Sequence, residues 1–346
     1  MSDIDIRVTG CAGRITLTRE KALNALSYDM CMAIDAALKD WAEDDAVKVV
    51  VIDAAGDKAF CAGGDIAELY ATGKAGDYGY GRTFWRDEYR LNARIFGYPK
   101  PVVSFLQGFT MGGGVGIGCH GTHRIVCESS QISMPEVGIG LIPDVGGTLI
   151  LALAPGRLGE YLGLTAGRMK AADAIYAGFA DLYIPKDKWA GLIAALEQDG
   201  NPGILENAAE GAPEATLEAM QGDIDRLFAG ETLGDILTDL NLNRSEFAEG
   251  ARKALFRNSP LSMASTVEIL HRLRGETLSI QRALDLEYRF TYRSMEKGDF
   301  LEGIRAQIID KDRQPKWQYA DRIVPAVAVS QMLMPLGADA LTFEEE

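Results

Sequence analysis

The chain has 346 residues, with 35 Lys and Arg against 50 Asp and Glu, for a net charge of −15. So acidic a chain excludes non-specific attachment to nucleic acid or to an anionic membrane surface, both of which need basic patches. Hydrophobic residues make up 47% and charged residues 25%, the balance of an ordinary globular chain long enough to bury a sizeable core.

Ile4–Val8 and Arg14–Thr18 alternate apolar and polar residues around Gly10 and Gly13, which predicts an antiparallel pair. Ser27 then stands where an N-cap belongs, ahead of a helical stripe of Met30, Ile34, Leu38 and Trp41. Val47–Ile52 is β-branched at every position but Lys48 and reads as a strand covered on both faces. Pro101–Leu106 and Arg124–Cys127 read the same way, and Arg157–Leu162 and Ala171–Tyr176 read as short helices. Pro202, Gly203 and Gly211 mark a linker, giving two expected regions, 1–200 and 201–346. Beyond it helical patterns dominate: Thr216–Phe228, Leu233–Leu240, Ser245–Phe256, Ser262–Leu273 and Leu278–Tyr292. The acidic end, Glu344–Glu346, reads as a frayed, solvated tail.

The five cysteines, Cys11, Cys31, Cys61, Cys119 and Cys127, are odd in number and form no CxxC pair. Neither a disulfide framework nor a zinc site is expected, and a reducing compartment fits. No secretory signal or membrane-length apolar run is read, so a cytoplasmic location without a membrane partner is expected.

Three Gly-rich segments carry the chemistry. Lys58–Ile66 follows the buried strand with Gly63–Gly64, and Gly108–Gly116 follows the next strand with Gly112–Gly113–Gly114. Such turns present bare N–H groups to a ligand, and the second opens a helix-like run with its dipole-positive end. Met134–Gly147 puts two carboxylates, Glu136 and Asp144, in one Gly/Pro loop. Each turn alone is most simply a turn, and no GxGxxG or Walker loop is present. Together they supply two N–H donors and a carboxylate, the parts of an oxyanion hole with an acid–base or nucleophilic group.

These segments, with Lys21–Leu26, resemble the crotonase (enoyl-CoA hydratase/isomerase) superfamily over about residues 5–195. The stretches Phe84–Asn92, Met111–Gly116, Met134–Gly147, Leu286–Arg289, Glu302–Ala306 and Ile309–Trp317 are similar to its hydrolase branch, whose members cleave 3-hydroxyisobutyryl-CoA in valine breakdown. The resemblance implies an α/β fold, a crotonase-type ββα spiral core with a C-terminal mostly helical extension. It implies an acyl-CoA substrate, no metal, and no cofactor beyond the CoA of the substrate. Crotonases are often trimers or dimers of trimers, so a homo-oligomer, trimer or hexamer, is one arrangement the resemblance admits, and it leaves the oligomeric state open.

By the same resemblance Gly64 and Gly113 supply the oxyanion N–H groups, and Glu136 is the catalytic carboxylate. Asp144 and Glu88 orient the substrate hydroxyl or the water. CoA contacts fall on Lys21, Ala22, Leu23, Ala62, Gly63, Gly64, Asp65 and Ile66. Hydratases of the family carry a glutamate where this chain has Gly116, so hydration lacks one of its two carboxylates. Glu136 as nucleophile and Glu136 as general base both remain open, as do an isomerase and a non-catalytic acyl-CoA-binding protein. His120, His123 and His271 have no metal-like partners, Cys61 reads as a small buried hydrophobe, and Trp85 and Tyr89 read as core or pocket lining. Lys311, Arg313 and Lys316 read equally as CoA-phosphate contacts or solvated structural residues.

Overall fold

The chain opens on a tight antiparallel pair, β1 (Ile4–Thr9) with β2 (Ala12–Leu17), in register from Ile4 opposite Leu17 to Thr9 opposite Ala12. The structure, a computed structural model, describes residues 3–213, 215–275 and 277–343. The expected fraying of Glu344–Glu346 lies outside the described residues. Two compact units interleave along the chain. One holds Met1–Asp65, Arg90–Ser133 and Arg168–Thr216; the other holds Ile66–Tyr89, Met134–Gly167 and Leu217–Glu346.

The first unit contains every named strand. β3 (Val49–Ala54), β4 (Ala59–Cys61), β5 (Val102–Leu106), β6 (Phe109–Met111), β7 (His123–Val126), β8 (Gln131–Ser133) and β9 (Leu182–Tyr183) follow the opening pair. They form a six-stranded sheet in the order β1-β2-β3-β5-β7-β9 and a three-stranded sheet β4-β6-β8. All pairings except β1–β2 are parallel. The continuous apolar runs are explained by this: β5 is buried at every position, and so are Val49–Ile52 of β3. Val51, Val103, Phe105 and Ile125 pack in one core with Trp189 and Leu196 of the helix Trp189–Asp199. The predicted helix runs Tyr28–Ala42, with the Ser27 hydroxyl accepting from Met30 N–H at 3.3 Å and Met30, Ile34, Leu38 and Trp41 buried.

The second unit is helical. Its helices start where small polar residues can cap the free N–H groups. Ser245, Ser259 and Ser279 cap Glu246–Leu255, Pro260–Arg274 and Ile280–Lys297, and Thr232 with Asp235 forms a capping box at Leu233–Leu242. Phe228, Ile236, Leu240, Leu255, Met263 and Val267 form the core of this layer.

The C-terminal helices hold one short turn, Glu136–Ile139, in a backbone cradle. Ser259 N–H donates to Val137 O at 2.9 Å. The buried Asp299 accepts from the Ser259 hydroxyl at 2.7 Å and from Gln318 N–H at 3.0 Å. Gly303 lies against the Ile139 backbone so closely that a Cβ would collide with the Ile139 carbonyl. The residues around Gly303 also carry Arg305, whose guanidinium binds Glu302, Asp310 and Asp312 and fixes the following loop. Lys311 and Arg313 in that loop are exposed and take positive φ, at 55° and 56°.

Helix propensity alone would favour alanine over glycine at 303 by about 1 kcal/mol. The collision is with backbone, which no rotamer change relieves, so the sign reverses. Gly303→Ala is expected to destabilise the protein by about 1–3 kcal/mol in thermal unfolding. Gly211→Ala, at an exposed position where a Cβ meets nothing within 4 Å, is expected to stay within about 0.5 kcal/mol of the parent.

Candidate active site

Two glycine turns leave the same edge of the three-stranded sheet, because β4 and β6 are parallel neighbours. After β4 the chain turns at Ala62–Gly63–Gly64–Asp65, with Gly63 at φ 114°; after β6 it turns at Gly112, φ 47° and ψ −119°, into the helix Gly113–Gly118. Few residues other than glycine adopt those angles. The turns touch: a Cβ on Gly63 would sit 3.5 Å from the Met111 carbonyl oxygen.

The loop around Lys21–Leu26 is bonded to the first turn. Ala62 N–H donates to Leu23 O at 3.0 Å, Leu26 N–H to Gly63 O at 2.9 Å and Asp65 N–H to Leu26 O at 2.8 Å. Leu23 and Asn24 both take positive φ, and Asn24 is held by its amide donating to Ala55 O and Ala59 O. This bonding uses the N–H groups of Ala62 and Asp65 but not that of Gly64. Among the described residues, no acceptor takes the N–H of Gly64 or of Gly113. Lys21 and Leu23 line a cavity of about 410 Å³ with Glu20, Asn24, Asp57 and Lys58. Ala62, Gly63, Gly64 and Asp65 form the adjoining turn, Ala22 sits in the Glu20–Ala22 helical turn, and Ile66 opens the helix Ile66–Lys74.

The second unit brings together four carboxyls. Glu88 lies on the helix Gly79–Phe96, Glu136 opens the short turn described above, Asp144 follows Pro143, and Glu287 lies on the helix Ile280–Lys297. All four are buried, Glu287 completely. Among the described residues no Lys, Arg or His pairs with any of them. Tyr89 Oη donates to Asp144 Oδ2 at 2.8 Å and lies 3.5 Å from Thr291 Oγ1. Glu287 accepts from Gly146 N–H at 2.8 Å, from Thr148 N–H at 3.0 Å and from the Thr148 hydroxyl. Glu136 Oε2 is buried with no hydrogen-bond partner.

Burial without a cation disfavours the charged forms, and mutual repulsion adds to it. Burial and then the Asp144 charge hold Glu88 well above the usual carboxylate range. Glu136 is also held well above it, by burial first and then by Asp144. Burial raises Asp144 to about 7, against the pull of the Tyr89 hydroxyl. Glu287 is raised to about 8 by burial, opposed by its Thr148 and Gly146 donors. At neutral pH the four therefore share protons, and their titrations belong to the group rather than to single residues.

The sequence patterns mark Glu88, Glu136 and Asp144, place Tyr89 as core or pocket lining, and give Glu287, Thr148 and Thr291 no role. A signal existed. Ile280, Leu284, Glu287, Thr291 and Ser294 follow i, i+4, i+7, i+11 and i+14 spacing on one buried helix face, so Glu287 occupies an apolar-stripe position. The histidines stand elsewhere: His120 is edge-on to Phe96, His123 faces Glu206, and His271 lies between Glu160 and Glu231. Cys61 is buried, its thiol 3.6 Å from Gly63 O. Among the described residues, no three His, Cys, Asp or Glu side chains are arranged to hold a metal ion.

The sequence model of the enoyl-CoA hydratase/isomerase family matches residues 12–333. The chain belongs to this family. It is 41% identical over 323 residues to the mitochondrial 3-hydroxyisobutyryl-CoA hydrolase of Rattus norvegicus, covering 90% of this chain and 83% of the relative. The human protein of the same name is 37% identical over 346 residues, covering 96% and 89%. Among solved structures, an enoyl-CoA hydratase from Rhodobacter sphaeroides 2.4.1 is similar at 57% identity and a TM-score of 0.94, covering 99% of this chain and all of that one. A carnitinyl-CoA dehydratase from Mycobacterium thermoresistibile is similar at 40% identity and a TM-score of 0.94, with both chains fully covered. The expected crotonase-type α/β fold is the fold of this family member. The expected cytoplasmic location is overturned, because the hydrolase relatives are named as mitochondrial proteins. Unpaired cysteines and an acidic composition suit any reducing compartment, so composition could not separate the two.

Asp144 is a carboxyl whose acidity falls from the ordinary 3.8 to about 7 on folding. A group shifted this way binds more protons folded than unfolded, so its stabilising contribution is full below about pH 4 and is lost as pH rises through about 7. Asp144→Asn lacks that loss. Its melting temperature relative to the parent is expected to rise between pH 4 and pH 8 in calorimetry. A constant difference would contradict the buried, cation-free assignment.

Proposed function

We propose that this family member is a thioester hydrolase that cleaves 3-hydroxyisobutyryl-CoA to the free acid and CoA, the valine-breakdown step that the resemblance implies. The observation that carries the reading is the buried, unpartnered Oε2 of Glu136 in a carboxyl cluster without a cation. The hydrolase names of the curated relatives support it.

In this reading Gly64 and Gly113 N–H groups take the oxyanion of the thioester, each donor costing about 10²–10³ in rate if lost. Glu136 acts in one of two ways. As a nucleophile, its carboxylate attacks the thioester carbon, the C–S bond breaks, and water then opens the resulting anhydride to acid and carboxylate. As a general base, it takes a proton from water as that water attacks. Either way the CoA thiolate needs one proton, and a cluster that shares protons at neutral pH can supply it. A protonated Glu88 can donate a hydrogen bond to the substrate hydroxyl. The acyl-CoA contacts are assigned to Lys21, Ala22, Leu23 and the Ala62–Ile66 segment.

A second reading, hydration of an enoyl-CoA, is favoured by the hydratase and dehydratase names of the similar solved structures. Gly116 weighs against it, since syn addition of water uses a pair of carboxylates and this position carries no side chain.

Both readings are tested by incubation with 3-hydroxyisobutyryl-CoA and with an α,β-unsaturated acyl-CoA, following free thiol and enoyl absorbance together. Thiol release from the hydroxyacyl substrate is expected, falling by about 10²–10⁴ in Glu136→Gln. Loss of enoyl absorbance without thiol would replace the hydrolase reading with hydration. A single turnover in ¹⁸O-water separates the two hydrolytic routes, since label enters Glu136 only if an anhydride forms.

A further inference from the structure

Asp144 is presented by a turn that its own residues do not favour. Gly147 N–H donates to Asp144 O at 2.7 Å, closing a four-residue turn with positive φ at both central positions, 53° at Val145 and 79° at Gly146. Such turns select Gly, Asn or Asp at those positions. Val145 is β-branched, for which positive φ is a genuine outlier that persists only where the surroundings over-determine it.

Glu287 supplies that constraint. Its two oxygens accept from Gly146 N–H and Thr148 N–H, on either side of Gly147, and the Thr148 hydroxyl adds a third bond. Glu287 and Thr148 are both fully buried, so these bonds meet no competition from water. The helix Ile280–Lys297 also places Thr291, one turn beyond Glu287, beside the Tyr89 hydroxyl that binds Asp144. The turn after Asp144 is thus held at Gly146 and Thr148 by Glu287, and the Asp144 side chain by Tyr89.

We propose that Glu287 is a positioning residue for the hydrolytic carboxyls. It pins the strained Val145–Gly146 turn that sets the direction of Asp144, and its carboxyl completes the buried cluster with Glu88, Glu136 and Asp144. The inference rests on the thioesterase reading and adds a residue to it. Misplacement of a group by about 1 Å costs on the order of a hundredfold in rate. Replacing Glu287 by a neutral amide also removes its share of the negative charge in the proton-sharing group, which lowers the pKa of the carboxyls that remain, and a purely structural role would not do that.

The test is the pH profile of kcat and KM for Glu287→Gln, Thr148→Val and Thr148→Ser with 3-hydroxyisobutyryl-CoA. In Glu287→Gln the amide fits the space but presents N–H to one of the backbone donors. Its kcat is expected to fall by about a hundredfold with KM within about threefold. The acid limb of its profile is expected to move to lower pH by roughly half a unit. Thr148→Val is expected to move the limb in the same direction with a smaller fall in kcat, and Thr148→Ser to restore both. Parent-like behaviour of Glu287→Gln overturns the proposal. So does a loss of activity in which KM rises and the limb stays in place. If Glu287→Gln does not fold, the Thr148 pair decides, and a Val variant indistinguishable from Ser overturns it. A parent protein that releases no thiol defeats the hydrolase reading instead.

Discussion

Among the described residues, Glu88, Glu136, Asp144 and Glu287 form a cluster of buried carboxyls in the second unit without a cation to neutralise them. An uncompensated charge in such surroundings costs several kcal/mol, so the group must keep protons, accept many hydrogen bonds, or both. Each member uses a different mixture. Glu287 takes two backbone N–H groups and a hydroxyl, Asp144 takes the Tyr89 hydroxyl, and Glu136 leaves one oxygen with nothing. Satisfaction therefore differs across the cluster: Glu287 is saturated by its surroundings, while Glu136 keeps a buried oxygen without a hydrogen-bond partner.

The helical layer is arranged around this constraint. The Glu136 turn is held by Ser259, Asp299 and Gly303, all from the C-terminal half of the chain. Arg305 spends its guanidinium on Glu302, Asp310 and Asp312 and so fixes the loop that returns Gln318 to Asp299. Lys311 and Arg313 stand exposed in that same loop. The C-terminal motifs that distinguish the hydrolase branch in the sequence thus hold the carboxyl loop from outside.

Most elements were legible because their periodicities are unmixed. The β-branched run predicted over Val47–Ile52 becomes β3 from Val49 on, and the Ser27-capped stripe is the helix Tyr28–Ala42 with its capping bond in place. The short strands β4, β6 and β8 were not legible, since three residues flanked by glycines carry no period of their own and are strands only through pairing with each other. Glu136 and Asp144 could be read because they share one Gly/Pro loop and match a family pattern. Local spacing puts Glu287 on a buried helix face but does not name its partners, and Tyr89 has no such signal, since both take their place by meeting Asp144 and its turn across 55 residues in one case and 141 in the other. The location was misjudged for a different reason, because acidity and free thiols describe a redox environment and not an address.

The central physical claim is that buried carboxyls here hold protons at pH values where exposed ones, titrating near 4, do not. Infrared spectra of the protonated carboxyl stretch, recorded against pH for the parent and for a Glu136→Gln/Asp144→Asn variant, measure this directly. A protonated-carboxyl band that persists in the parent above about pH 6, and weakens in the double variant, is the result the account requires. Complete ionisation of the parent's carboxyls by about pH 5.5, with no difference from the variant beyond the two deleted groups, would contradict it.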